Sequence, residues 1–266
     1  MVTQYVIDGL ITGALYVILA IGFLLIFRRT RTFHIAMAVV YIVAATLFLE
    51  LVTRFHLPVL LSGAISVSVA TALGYLSKRW AYRPLAKVIP SRVNTIMIGF
   101  IAILTFVLDV AMLIYGNEPR TFNPDILPQG NGIITNVQSF IIVGAVIAIV
   151  TLLIVVLTEP IKSIAFLLSG MFIGITACLS IVDVGMNANV QMTVILNAIV
   201  VMCIGSEFGI LGCVLGGLAI GVLQSLTVYI LSPFWHNAIA YIAVILFLLR
   251  HGNISNLHSS KQNNGC

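Results

Sequence analysis

The sequence predicts an all-α fold, a polytopic membrane protein built as a bundle of about eight or nine transmembrane helices. Of its 266 residues, 61% are hydrophobic and 8% are charged, whereas soluble domains carry a charge on roughly a quarter of their residues. A soluble fold of this length buries only about three quarters of its unfolded surface, so this apolar excess must face lipid. Little length remains for a soluble domain beside the spans, which excludes the soluble enzyme classes.

The spans are predicted from runs of about 20 apolar residues, the length of a helix that crosses the hydrocarbon core. Charge clusters and Pro or Gly breaks bound these runs. In chain order they cover residues 5–27, 33–53, 59–77, 93–115, 139–158, 163–182, 190–205, 208–231 and 236–249.

Local sequence features support the individual runs. The first follows a segment without positive charge, so it is a retained span rather than a cleavable signal. A polar turn around Arg54 separates the second and third runs, and the fourth and fifth flank residues 116–138, a Pro- and Gly-containing stretch expected to be an external loop. The sixth follows Lys162. The seventh and ninth are short for ~30 Å of hydrocarbon at 1.5 Å per residue, so either is a candidate for a broken or re-entrant segment.

Residues 1–250 therefore form one transmembrane domain. Residues 251–266 are rich in Asn and Ser without periodicity, and we expect a disordered cytoplasmic tail. The 13 Lys and Arg residues orient the domain, because 11 of them fall in the loops after the first, third, fifth and last runs and 2 in the alternate loops. The positive-inside rule places the crowded loops in the cytoplasm and the amino terminus outside. This one-sided distribution is a membrane signal and does not indicate nucleic-acid binding.

Catalytic motifs are missing from the sequence. It contains no G-x-x-x-x-G-K-[ST] phosphate loop, no H-E-x-x-H pair, no Cys/His cluster with metal spacing and no G-x-S-x-G elbow. We therefore expect neither an enzyme nor a bound cofactor or metal, and any work driven by ATP requires another subunit. The cysteines within apolar runs are interpreted as packing residues.

Polar side chains inside the apolar runs are candidates for a transport path, because polar groups in the membrane usually face a cavity or a partner. Asp109 lies on the outward side of the fourth run and either lines a hydrated path or bonds a neighbouring helix. The amides have the same two interpretations, with hydrogen bonds between helices as the alternative to a path. They are Asn94, Gln191, Asn197 and Gln224.

Glycines at a spacing of four residues predict close packing of helix backbones. Two such pairs are Gly9 with Gly13 and Gly170 with Gly174. Six further glycines crowd the region of the seventh and eighth runs, where we expect the tightest packing. They are Gly205, Gly209, Gly212, Gly216, Gly217 and Gly221.

Four strings, in order along residues 5–250, resemble the permease subunits of branched-chain amino acid ABC transporters. The first is Gly9-Leu10-Ile11-Thr12-Gly13-Ala14-Leu15-Tyr16, and the second, Arg79-Trp80-Ala81-Tyr82-Arg83-Pro84-Leu85, is similar to the Y-R-P-L stretch of that family. The third is Tyr115-Gly116 at the end of a span, and the fourth is the glycine-rich run over residues 209–221.

The resemblance implies a fold, partners and a location. The chain would be one permease subunit of an ABC importer in the bacterial inner membrane, forming part of the path for branched-chain or similar small amino acids. A second permease subunit, identical or different, would complete the path. Cytoplasmic ATPases would drive it, and an external binding protein would deliver the substrate.

Two departures from the family qualify these expectations. The family's asparagine-phenylalanine-alanine-histidine-glycine string reads here as His34-Ile35-Ala36-Met37-Ala38, so His34 is a candidate path residue in altered surroundings. The family's long cytoplasmic segment before the sixth span, which docks on the ATPase, is replaced by the short turn over residues 158–163. Contact with an ATPase would then rely on Glu159 and Lys162, or on the basic loop with Arg79, Arg83 and Pro84. The alternative is a diverged subunit without ATP coupling, acting as a scaffold or a passive channel.

Overall fold

The computed structural model describes residues 2–30, 36–77 and 162–230, with single residues at 106, 110, 238, 241 and 242. The described ranges form five helices. These are α1 (Val2–Thr30), α2 (Ala36–Thr53), α3 (Val59–Ser77), α4 (Lys162–Val184) and α5 (Ala188–Ile230).

The helices match the predicted spans closely and confirm an all-α membrane fold. Four stretches in the described part of the chain are long and apolar enough to cross a bilayer, and α2 carries a slightly shorter apolar run, Met37–Thr53. The spans predicted at 93–115, 139–158 and 236–249 lie outside the described residues, apart from isolated helical positions. The four stretches are Gln4–Arg28, Val59–Ser77, Ile164–Asp183 and Val190–Ile230.

Helix α5 contains both the seventh and the eighth predicted spans, and the chain reverses between them at Gly209. The backbone leaves helical geometry there, with φ 78° and ψ −159°. Cys213 Sγ lies 3.8 Å from the carbonyl oxygen of Val201, although 12 residues of continuous helix would span about 18 Å. We call residues 188–208 the first arm and residues 210–230 the second arm. Each arm is about 30 Å long, enough to cross the bilayer.

Helix α1 packs on the second arm through glycine backbone. A β-carbon at Gly13 would lie 2.9 Å from the carbonyl oxygen of Gly217, and one at Gly9 would lie 2.8 Å from Cα of Val222. Since the contact residue number falls on α5 as it rises on α1, the two segments are antiparallel. Ser225 Oγ adds a hydrogen bond of 2.6 Å to the carbonyl oxygen of Tyr5.

Helix α4 packs between α3 and α1. A β-carbon at Gly74 would lie 3.0 Å from the carbonyl oxygen of Phe166, and one at Gly174 would lie 3.0 Å from Cα of Val67, so α3 and α4 are antiparallel. On its other side α4 meets α1, where Ser169 Oγ donates a 2.7 Å hydrogen bond to the carbonyl oxygen of Gly22. Helix α2 packs on both α3 and α4.

The core lies around α1, whose Leu19 and Ala20 are fully buried. The outer faces are apolar as well, as a lipid solvent requires. Leu60 on α3 and Leu211 and Leu215 on the second arm are among the exposed side chains there. Apolar residues on both the inside and the outside distinguish these helices from the amphipathic helices of soluble proteins.

Candidate functional site

The candidate site is built around the short turn between α4 and α5. Between α4 and α5 the chain turns over three residues, of which Gly185 and Met186 are buried rather than exposed to water. Gly185 has φ 77°, a conformation that favours glycine. Because the turn exposes backbone groups that no helix satisfies, its carbonyls need side-chain partners.

Gln191, in the first turn of α5, supplies that partner. Its Nε2 donates a 2.9 Å hydrogen bond to the carbonyl oxygen of Gly185. Its Oε1 accepts a 2.6 Å bond from Tyr41 Oη on α2 and a 3.4 Å bond from Ser180 Oγ on α4. All three side chains are completely buried. One amide therefore connects three helices and the turn.

Asn197 makes a second connection further along the first arm. Its Nδ2 donates a 3.0 Å hydrogen bond to Tyr16 Oη on α1. Both side chains are almost fully buried. The two amides thus bring α1, α2, α4 and α5 together in the apolar interior, and we call these five side chains, with Gly185, the polar network.

Two buried amides differ from Gln191 because polar atoms on them have no hydrogen-bond partner in the described part of the chain. Asn197 Oδ1 is one such atom. Gln224, on the second arm, is 0% exposed, and neither its Oε1 nor its Nε2 is bonded there. A polar group left unpaired in an apolar medium costs several kcal/mol by rough estimate, so these atoms mark places where the interior is not optimised for packing alone.

The sequence-predicted path candidates divide into two groups. Gln191 and Asn197 belong to the polar network, with the helix-to-helix hydrogen bonds that were one of the two interpretations. Asn94, Asp109 and His34 lie outside the described residues.

The predicted ATPase contacts are almost all outside the described residues too. Lys162 is the first residue of α4, and its side chain is not described. The others are Arg79, Arg83, Pro84 and Glu159.

The six glycines of the seventh and eighth predicted spans have three different roles. Gly205, Gly212 and Gly216 face the opposite arm of α5, where a β-carbon at Gly205 would overlap Cys213 Sγ. Gly217 and Gly221 face α1. Gly209 is the point of reversal, because its φ and ψ fall in a region that is essentially reserved for glycine.

Sequence reasoning missed Tyr16, Tyr41 and Ser180. A signal for the tyrosines was present, since both lie within apolar runs and away from the interfacial belt where membrane tyrosines usually reside. A phenol at that depth needs a hydrogen-bond partner, which here is an amide.

A multi-pass bundle of apolar helices with hydrogen-bonded polar side chains buried between them is a construction found in membrane transport proteins. The sequence matches the family described as branched-chain amino acid transport system / permease component, over residues 5–159 and 156–249. The chain belongs to this family of transport permeases.

A curated relative is the high-affinity branched-chain amino acid transport system permease protein BraD of Pseudomonas aeruginosa. It is 23% identical over 296 aligned positions, which cover 92% of each chain. No solved structure matches the chain at a significant level.

The matches also indicate an internal difference in length. An alignment of 296 positions on a chain of 266 residues leaves at least 30 positions of the alignment without a residue of this chain. The family match itself falls into two stretches that meet at residues 156–159. These residues overlap the short turn predicted over residues 158–163.

Proposed function

We propose that the chain is the membrane permease subunit of an ABC importer in the bacterial inner membrane, and that it forms part of the translocation path for branched-chain or similar small amino acids. The observation that carries the proposal is the family match, which extends from residue 5 to residue 249. The name of the relative BraD supports the substrate class.

The energy for uptake comes from a separate ATPase, because the sequence contains no phosphate-binding loop. The ATPase contacts this chain at its basic inner face, through Arg79, Arg83 and Pro84 and the turn with Glu159 and Lys162. A second permease subunit completes the path, and an external binding protein delivers the substrate.

The path runs beside the polar network. A hydrogen-bonded interior between helices that pack through glycine permits small rigid-body movements, since the contacts between them are backbone to backbone. Alternating access is then a rocking of these helices, with ATP binding favouring one state through contacts made only in that state. Gln191, Asn197, Asn94, Asp109 and His34 are the candidate path residues.

A second function is favoured by one specific observation. The family match is interrupted at residues 156–159. The permease family that the sequence resembles carries its ATPase-docking segment at that place. A chain without this segment is a candidate for a diverged subunit that works as a scaffold or a passive channel without ATP.

Affinity purification in mild detergent distinguishes the two functions. The ABC importer function predicts that the tagged chain recovers an ATPase with a phosphate-binding loop, and that the double substitution Arg79→Glu and Arg83→Glu reduces this recovery. Arg54→Glu is the matched control, because Arg54 is an exposed cation on the opposite face by the positive-inside rule. Recovery of no ATPase by the unchanged chain favours the second function.

A further inference from the structure

We propose that Gln224 and Asn197 together form a binding site for the charged backbone groups of the transported amino acid, the ammonium and the carboxylate. This inference rests on the proposed function and assigns the substrate contacts within it. Two amides on opposite arms of α5 carry the inference.

Gln191 and Gln224 differ in their hydrogen bonding. Both are glutamines with fully buried side chains on α5. Gln191 uses both amide atoms in hydrogen bonds to α2, α4 and the turn, whereas both amide atoms of Gln224 are unbonded within the described ranges. A glutamine that only held helices together would have the bonding of Gln191, because an unpaired amide destabilises the bundle.

Gln224 lies on the inner side of the second arm. Gln224 lies on the stripe of the second arm that also carries Cys213, Gly217 and Ile220, all of them buried. Cys213 contacts the first arm at Val201, and Gly217 contacts α1. The stripe therefore faces the interior between the arms and α1.

The register of the hairpin sets the relative depth of Gln224 and Asn197 in the membrane. Asn197 precedes the reversal at Gly209 by 12 residues, and Gln224 follows it by 15. At 1.5 Å per residue, Gln224 lies only about 4.5 Å further from the reversal along the arms than Asn197. The two amides with unpaired atoms are thus at similar depth in the membrane.

The polar atoms of the two amides complement those of an amino acid zwitterion. Among the described residues, Asn197 Oδ1 is an acceptor without a partner, while Gln224 presents an acceptor and a donor without partners. A zwitterionic amino acid has a donor end and an acceptor end and no net charge, so uncharged amides match it without adding a buried charge. The ammonium is bound by the acceptors and the carboxylate by Gln224 Nε2.

The test uses isosteric substitution in the full permease complex in nanodiscs, with L-leucine as the probe. Gln224→Met keeps the length of the side chain and removes its polar atoms. We expect about a hundredfold weaker leucine binding, about tenfold for each of the two hydrogen bonds that Gln224 makes to the ligand, with an unchanged or higher melting temperature, because no bond within the described bundle is lost. Gln191→Met is the matched control and is expected to lower the melting temperature.

A second variant separates the two ends of the ligand. Asn197→Leu removes the acceptor Oδ1 together with the Nδ2 bond to Tyr16, so the two ligands are compared within this one variant. We expect leucine binding to weaken more than binding of 4-methylpentanoate, which has the carboxylate and lacks the ammonium.

The outcomes distinguish this inference from the function on which it rests. Leucine binding that is unchanged in both variants overturns the inference and leaves the proposed function in place. A melting temperature that falls in Gln224→Met as far as in Gln191→Met also overturns it, because Gln224 would then be structural. A wild-type complex that binds none of the branched-chain amino acids overturns the proposed function and the inference together.

Discussion

At the scale of the residue, the described interior depends on Gln191. Its amide joins Tyr41, Ser180 and the carbonyl of Gly185, which are brought together from three segments of the chain. Hydrocarbon offers no competing water, so each of these groups has to find its partner within the protein. These hydrogen bonds fix the position of the turn between α4 and α5 relative to α2.

The substitution Tyr41→Phe tests this connection. It removes the 2.6 Å hydrogen bond to Gln191 Oε1, and we expect the free energy of unfolding to fall by about 1 kcal/mol, as for other hydrogen bonds between membrane helices. Thermal unfolding in detergent measures the change. Tyr75→Phe is the control, since Tyr75 is half exposed on α3; equal melting temperatures for the two variants would contradict the assigned role.

Sequence patterns identified part of this site. Gln191 and Asn197 were recognisable because an amide within an apolar run is uncommon. Their partners were not, since Tyr41 and Gln191 are 150 residues apart and no local spacing relates them. Whether an amide is bonded or unpaired, the difference between Gln191 and Gln224, depends on neighbouring helices and is invisible in the sequence.

At the scale of the element, glycine contacts position the helices. Gly13 faces Gly217 and Leu218, and Gly170 faces Ala70 and Thr71, each at backbone distance. Such contacts gain dispersion energy and cost no side-chain entropy, which is how helices associate when lipid supplies no hydrophobic drive.

Alanine substitutions at two glycines distinguish the cost of overpacking a helix contact from the gain in helix propensity. Gly13→Ala would place a methyl 2.9 Å from the carbonyl oxygen of Gly217 and 3.0 Å from Cα of Leu218, so we expect destabilisation of about 1–3 kcal/mol by overpacking. At Gly63 the nearest atom is Phe48 Cε2 at 4.0 Å, and Gly63→Ala should be neutral or stabilising because alanine favours helix. Unfolding that responds equally to both changes would show that α1 and the second arm are not in close contact.

A disulfide tests the reversal at Gly209. A β-carbon at Gly216 would lie 3.6 Å from Cβ of Ile204, within the separation of about 3.5–4.5 Å that a disulfide requires. The pair Ile204→Cys and Gly216→Cys, with the native cysteines replaced, should therefore crosslink on mild oxidation, as detected by mass spectrometry of the joined peptides.

The control pair is Ile204→Cys with Leu215→Cys, because Leu215 is 69% exposed on the outer side of its arm. A continuous helix would keep both pairs too far apart to react, so failure of the first pair contradicts the hairpin.

The sequence predicted the helices and part of their packing. The bounds of α3 agree with the expected 59–77, because charge and Pro define both ends. The seventh run was expected to be short, but the first arm begins at Ala188 and continues to the reversal. The polar residues Asn189 and Ser206 flank the expected run 190–205, and both of them are helical in the first arm. Gly209 was expected to pack against another helix, but it lies at the reversal of the chain. The spacing of the glycines does not reveal which of them has non-helical backbone dihedrals.

At the scale of the whole molecule, the helix directions agree with one another. Helix α1 is antiparallel to the second arm and α3 is antiparallel to α4, as the predicted orientations of the first, third, sixth and eighth spans require. The reversal at Gly209 lies near Arg28, at the end of α1 that the positive-inside rule places in the cytoplasm.

Cysteine labelling tests this orientation. Gln4 and Ser206 are both exposed and lie at opposite ends of the bundle. In a chain without native cysteines, we expect a membrane-impermeant maleimide to label Gln4→Cys on intact cells and Ser206→Cys only after the membrane is opened. Labelling of Ser206→Cys on intact cells would reverse the assigned topology, and with it the face proposed for the ATPase.

Leucine uptake into proteoliposomes tests the central claim most directly. The permease, its copurified ATPase and the external binding protein are reconstituted, and radiolabelled leucine is followed with ATP and with a non-hydrolysable analogue. We expect accumulation above the external concentration only with ATP and only when the permease is present. Accumulation by this chain alone, or mere equilibration of leucine that ATP does not change, would contradict it.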